Sequence, residues 1–342
     1  MPRAAAGPLA FGKRLNNDGH MKTYLKTIAD VYERAATIPD ASLCCTQAPV
    51  WNLPDLRVPP IMFEMNYGCG SIVDPRDLKP NDTILYVGVG GGLEALQFAY
   101  FTRRPGGVIA VDPVAAMREK ARANFVEAAR LNPWFRPEFV RILDGNALRL
   151  PVASESVRVA AQNCLFNVFM RDDLDTALAE VCRVLMPGGL FATSDPITPT
   201  PLPEAFRADA LARARCLSGC QTFDEYVAAL VRAGFGRIEV RARFPYRLVT
   251  PEEHPGLTDA ILLESVEVAA YKVPDGFDGP AIFTGRMAVY AGPAESFVDE
   301  TGALLRRGIP VAVSDAAARR LGRIASVTVT GPTYHMRGAR CC

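Results

Sequence analysis

Short apolar runs alternate with amphipathic stretches through the middle of the chain, and that alternation predicts strands exchanging with helices. The runs are DTILYVG (82–88), GVIAVD (107–112), FVRIL (139–143), VRVAAQN (157–163) and LFATSDP (190–196). Between them LEALQFAYF, AAMREKARANFVEAARL and DLDTALAEVCRVL place apolar residues at helical spacing. The expected class is α/β, with a doubly wound, Rossmann-like and mostly parallel sheet.

The flanks read differently. MKTYLKTIADVYERAA (21–36) sets Leu25, Ile28 and Tyr32 on one helical face, and Pro39 follows its stop. Residues 48–80 are rich in proline and glycine and read as an extended cap. Residues 204–235 read as helical up to AGFG, and IEVRARFPYRL and AILLESVEVAAYKV follow as strands that extend the sheet. PDGFDGP (274–280) reads as a linker before a small β-rich module, closed by a helix at 315–323. The expected divisions are 1–80 for the N-terminal helix and cap, 81–200 for the cofactor domain, 201–273 for the substrate region and 274–342 for the C-terminal module.

Composition narrows the function classes. The 342 residues are 49% hydrophobic and 22% charged, with 38 basic against 37 acidic side chains, so no net field favours nucleic acid or an anionic membrane. No apolar run is long enough to suggest a membrane helix, and MPRAAAGPLAFGKR is too short and broken for a signal peptide, so a cytoplasmic location is expected. The nine cysteines are an odd number scattered through a long chain, a pattern that fits reduced thiols.

After the first strand comes Gly88-Val89-Gly90-Gly91-Gly92, with Asp112 closing the second strand. Glycines let backbone approach a ligand at the strand-to-helix turn, and an acid at that strand end can accept hydrogen bonds from ribose hydroxyls. A nicotinamide fingerprint would need glycine where Leu93 or Ala95 stands, so S-adenosylmethionine is the better cofactor candidate. DGNALRLP (144–151) and the Pro-Gly-Gly turn of RVLMPGGLFATSDP agree with it. Asn163 and Cys164, at the end of the fourth strand, should face the reactive methyl, because ligands sit outside the carboxyl ends of such strands.

Cys182 falls on the margin of a helical apolar stripe and is expected in the core. Cys216 and Cys220 are four apart, one above the other if their helix continues through Gly219. Cys44, Cys45 and Cys69 lie in the cap, where loops commonly carry function, and Cys341-Cys342 end the chain as a candidate dithiol. With no C-x-x-C and only His20, His254 and His335, zinc is not favoured.

The stretches CCTQAPVWNLPDL (44–56), EMNYGCG (64–70), LYVGVGGGLEALQFAYF (85–101), AQNCLFNVF (161–169) and RCLSGC (215–220), with the terminal Cys-Cys, resemble the arsenite S-adenosylmethionine methyltransferases. The likeness is to the branch associated with arsenosugar or related arsenical biosynthesis. The resemblance implies that Cys164 and Cys216 hold trivalent arsenic. Cys69 and one of Cys44 or Cys45 would complete the set that handles the inorganic substrate and its reduction. It further implies a cofactor set of Tyr67, Gly88, Gly90, Gly92, Asp112, Pro113, Asn146, Ala147 and Asn163. Cys220, Cys341 and Cys342 are assigned as accessory thiols, and Asn146 stands where the family often has aspartate. The implied substrate is arsenite or methylarsenite, and the implied partner is an external thiol reductant of thioredoxin or glutathione type. Methylation of another small metabolite, or arsenical binding without catalysis, are the alternative readings.

Overall fold

The structure is a computed structural model that describes residues 22–43 and 51–333. In chain order it runs α1 (Thr23–Thr37), α2 (Pro60–Glu64), β1 (Ile84–Val87), α3 (Leu93–Thr102), β2 (Val108–Asp112), α4 (Ala115–Leu131), β3 (Val140–Asp144) and β4 (Val157–Asn163). Next come α5 (Arg171–Val184), β5 (Leu185–Thr198), α6 (Glu204–Arg207), α7 (Ala210–Ala214), β6 (Gln221–Thr222), α8 (Phe223–Arg232), β7 (Arg237–Val249), β8 (Ile261–Tyr271) and β9 (Ala281–Phe283). A smaller set closes the described chain: β10 (Met287–Tyr290), β11 (Ser296–Val298), β12 (Leu304–Arg306), β13 (Val311–Ala312), α9 (Asp315–Leu321) and β14 (Val327–Val329).

One sheet carries the strand order β3-β2-β1-β4-β5-β8-β7-β9, with β6 against the end of β5. The first five of these strands pair in parallel, and β8 then pairs antiparallel with both β5 and β7. The chain reverses its winding between β2 and β4 on either side of β1, which opens a crevice at the carboxyl ends of β1 and β4. Alternation along β1 explains the two apolar layers. Leu85 and Val87 pack with Leu178 and Leu230, whereas Ile84 and Tyr86 pack with Phe98 and Phe125.

The stretch 204–235, read from sequence as helical, is broken into α6, α7 and α8. Asp209 caps α7 by accepting from Leu211 and Ala212 N–H, and α7 stops at Ala214. Cys216 takes φ +58°, a left-handed conformation that cannot continue a helix, so Cys216 and Cys220 are not stacked on one helical face. A new start follows at Thr222, which forms a capping box with Glu225. Ala281–Phe283, read with the C-terminal module, pairs in parallel with β7 in the main sheet.

Residues 51–80, the described part of the stretch read as an extended cap, are anchored to the far strands. Ser71 N–H donates to Glu267 Oε1 at 2.6 Å, and Arg241 on β7 pairs with Asp77 and, at 3.2 Å, with Asp74. Burial alone would raise the Asp74 carboxyl, but the hydrogen bonds and charges of Arg76 and Arg241 outweigh it and hold it at about 2. These contacts fix where the Tyr67–Gly70 segment meets the ends of β4 and β5.

Candidate active site

Beyond β1 the chain turns through Gly88, Gly90 and Gly92, at φ +85°, +50° and +90°. An L side chain at these angles would be strained, so the three glycines are the residues that allow this turn. Asp112, at the end of β2, holds the turn: its Oδ2 accepts from Val89 N–H at 3.0 Å and its Oδ1 from Val114 N–H at 2.8 Å. Burial pushes its carboxyl up to about 6 against the pull of these donors. Asn146, after β3, caps its own turn by accepting from Leu148 and Arg149 N–H at 3.0 and 3.1 Å.

These elements wall one cavity at the carboxyl end of the sheet. Its floor is the glycine turn with Asp112, one side is Asn146-Ala147-Leu148, and the far side is Asn163-Cys164-Leu165. Helix α1 covers it with Leu25, Ile28, Ala29 and Tyr32, the face that its sequence spacing marked as apolar. Lys22 and Tyr24 tie the start of α1 to Asp173 on α5; the Lys22 pair measures 2.8 Å. Among the described residues no lysine, arginine or histidine lines the cavity.

Three thiols gather at the far side. Cys69 is fully buried, its N–H donates to Asn163 Oδ1 at 3.0 Å, and its sulfur meets Ser194 Oγ at 3.4 Å. Cys216 donates its S–H to the Cys164 carbonyl at 2.7 Å, and the Cys164 side chain interacts with the thiols of both Cys69 and Cys216. Burial pushes the Cys69 thiol well up. For Cys216 the hydrogen bond with Cys164 pulls down, but burial and the Asp195 charge outweigh it, so this thiol also stays protonated at neutral pH. Among the described residues no three such donors stand ready-arranged to hold an ion, so engaging one requires these side chains to rotate.

Cys164 and Cys216 share a further property: both are non-glycine residues at positive φ, +57° and +58°. That conformation costs about 1–2 kcal/mol per residue and persists where the surroundings over-determine it. At Cys164 the constraint is visible. Its N–H donates to Ser194 O at 2.7 Å, the next N–H donates to Gln162 Oε1 at 2.8 Å, and Gln162 is gripped by Asp195 and Thr193. At Cys216 the turn is pressed against Asn167, whose carbonyl a side chain on Gly219 would overlap.

Of the residues singled out from sequence, Tyr67, Gly88, Gly90, Asp112, Pro113, Asn146, Ala147, Asn163 and Cys164 line the cavity together. Gly92 instead starts α3, where a Cβ would press on the Phe125 ring at 2.8 Å. Cys69 and Cys216 stand beyond Cys164 rather than on the wall. Cys220 is buried next to them, with its sulfur toward the Cys216 carbonyl at 3.3 Å. Cys182 is buried on α5 away from the cluster. Cys44, Cys45, Cys341 and Cys342 lie outside the described residues.

Four residues at the site were given no chemical role by the sequence reading. Tyr32 reaches Cys216 from α1, and burial followed by the nearby thiols pushes its hydroxyl well up. Glu94 and Tyr86 meet inside the cavity wall. Asp195 is fully buried toward the end of β5 and accepts hydrogen bonds from Gln162, Thr193 and Tyr226. Burial pushes it up to about 7, and its charge is felt at Cys69, Cys216 and Cys220.

Comparison with known proteins bears on this arrangement. Residues 85–193 match the family model of a methyltransferase domain. The chain is 32% identical over 177 residues to an arsenite methyltransferase of Halobacterium salinarum, covering 52% of this chain and 43% of that protein. It is 29% identical over 232 residues to an arsenite methyltransferase of Aquipseudomonas alcaligenes, covering 66% of this chain and 60% of the relative. The chain thus spans about half the length of these curated relatives. In fold it is similar to the crystal structure of an arsenic(III) S-adenosylmethionine methyltransferase from Chlamydomonas reinhardtii, with a TM-score of 0.59 and 22% identity over 81% of this chain and 95% of that one. Among the described residues no helix is long and apolar enough to cross a membrane.

Proposed function

We propose that this chain, similar to arsenite methyltransferases over about half of their length, methylates trivalent arsenic held by the thiols of Cys69, Cys164 and Cys216, with S-adenosylmethionine as methyl donor. One observation carries the reading: thiols from three separate segments converge beside a cavity floored by a glycine turn and an acidic strand end. The donor set fits the cofactor. Asp112 retains lone pairs for ribose hydroxyls, Asn146 and Ala147 would edge the place for adenine, and the acidic wall, with no cationic side chain among the described residues, suits a positively charged ligand.

The cofactor's contribution is an electrophilic methyl on sulfonium. The chain supplies the nucleophile's setting. Arsenic(III) is soft and prefers thiolate sulfur, and three sulfurs leave its lone pair outward, toward the cavity. As each As–S bond forms, the thiol proton leaves with a departing arsenic hydroxyl as water, so no general base is needed. Binding requires Cys216 to turn its sulfur away from the Cys164 carbonyl. The two left-handed cysteines and the Asn163 clamp fix the backbone from which the sulfurs reach, so that only side chains have to turn to bring nucleophile and methyl into line. Methyl transfer leaves arsenic formally pentavalent. Return to the trivalent state takes two electrons from a thiol pair, which closes as a disulfide and is reset by an external thiol reductant.

The test is incubation of the protein with arsenite, S-adenosylmethionine and a thiol reductant, followed by chromatography with elemental detection. Methylated arsenic is expected from the natural chain and its loss from Cys164→Ser and Cys216→Ser. No methylated product, or full activity in both variants, overturns the reading.

A further inference from the structure

Glu94, in the first turn of α3, is buried and lies on the cavity wall. Its Oε1 accepts from Asn163 Nδ2 at 2.9 Å, and its carboxylate also receives the Tyr86 hydroxyl and its own N–H. Burial nevertheless raises its carboxyl, and among the described residues no lysine, arginine or histidine lines the cavity to compensate its charge. A cationic occupant of the cavity would supply that charge.

Asn163 is more than a neighbour of Glu94. The same Nδ2 donates to Gly70 O at 2.9 Å, while its Oδ1 accepts from Cys69 N–H at 3.0 Å. A single amide therefore joins the acid in the cavity wall to the backbone on both sides of the thiol-bearing residue. It has no room to swing, since a Cβ on Gly68 would already overlap it.

We propose that Glu94 is the charge partner of the cofactor's amino-acid ammonium and that Asn163 transmits its ionisation to Cys69, so that cofactor and trivalent arsenic each strengthen the other's binding. The inference rests on the function proposed above and adds a positioning device to it. With an ammonium in place Glu94 is held ionised, and its bond to Asn163 becomes charge-assisted and stiffer. Asn163 in turn holds the Gly68–Gly70 segment, and with it the Cys69 sulfur, in the orientation that the metalloid needs. Reciprocity follows from linkage: the factor by which the cofactor tightens arsenic is the factor by which arsenic tightens the cofactor.

The experiment is equilibrium dialysis of arsenite against the full chain, with and without saturating S-adenosylhomocysteine, which keeps the ammonium but cannot react. An arsenite affinity about tenfold higher in its presence is expected. In Glu94→Gln that gain should fall below about twofold, and S-adenosylhomocysteine itself should bind about tenfold more weakly. Gly68→Ala, which displaces the Asn163 amide and so breaks its link to Glu94 while leaving the carboxylate itself in the cavity wall, should lose the gain while holding S-adenosylhomocysteine. The inference is overturned by a natural chain that shows no gain, by a gain undiminished in Glu94→Gln, or by one undiminished in Gly68→Ala. Arsenite that fails to bind under every condition overturns the thiol site itself and this inference with it.

Discussion

On the side of β1 to β3, the cavity is braced by side chains at the ends of neighbouring strands: Asp112 takes the N–H groups of Val114 in its own turn and of Val89 beyond the adjacent strand, and Asn146 those of Leu148 and Arg149. Across the cavity, at β4 and β5, the contacts that join the three cysteines to their supports are long-range. Cys69 leans on Asn163, Cys164 on Ser194 and Cys216 on Cys164, and two of these cysteines sit in a backbone conformation that only their surroundings maintain. The first half is built within consecutive strand–helix–strand units. The second exists only once distant segments have packed. Damage to one half should therefore read out as cofactor affinity, and damage to the other as metalloid affinity and turnover.

The largest effect expected from that division is at Cys164. Cys164→Ser should lower methyl transfer to arsenite by about 100-fold or more, while S-adenosylhomocysteine binding measured by calorimetry changes by less than about threefold. Asp112→Ala should give the converse. It strands the Val89 and Val114 N–H groups at a cost of about 1–3 kcal/mol, so cofactor affinity should drop by roughly 10- to 100-fold, with arsenite still bound in dialysis. Equal losses of both ligands in either variant would erase the distinction between the halves.

A smaller effect concerns the acid beneath the thiols. Asp195 has its folded pKa raised to about 7, whereas an unfolded aspartate titrates near about 3.9. Between those values the folded chain holds a proton that the unfolded chain has lost, so this residue's contribution to stability is full below about pH 4 and is lost as pH rises through about 7. Asp195→Asn should remove that slope, and urea melts at pH 5 and pH 8 would reveal it; an unchanged slope would place the titration elsewhere. The least effect belongs to Cys182, buried on α5 away from the cluster. Cys182→Ala should leave both ligand affinities within about twofold and shift stability by about 1 kcal/mol.

The alternation of strand and helix, the parallel sheet and the glycine turn were legible because each depends on residues near one another in sequence. Apolar spacing marks which face is buried, and Gly88 and Gly90 mark where backbone must turn tightly. The break of 204–235 into three helices was not legible, because Cys216 and Gly219 adopt their turn against Asn167, a residue far away in the chain. The anchoring of the 51–80 segment was hidden for the same reason, since Glu267 and Arg241 lie on strands formed much later. Tyr32 offered only a helical apolar position, and nothing in its neighbours marks a residue that reaches a thiol.

By itself, then, the order of residues determined the α/β alternation, the turn after β1, and the acid and asparagine that brace the β1–β3 side of the cavity, because the periodicity of buried faces and contacts within a turn or between consecutive strands are set by neighbouring stretches of sequence. Tertiary structure decided which sulfurs meet, which carboxylates are stripped of water beside them, and that one amide at Asn163 links the cavity wall to Cys69. Those outcomes depend on burial and on contacts across the sheet, and a side chain's dielectric surroundings and partners come into being only when the layers close around it.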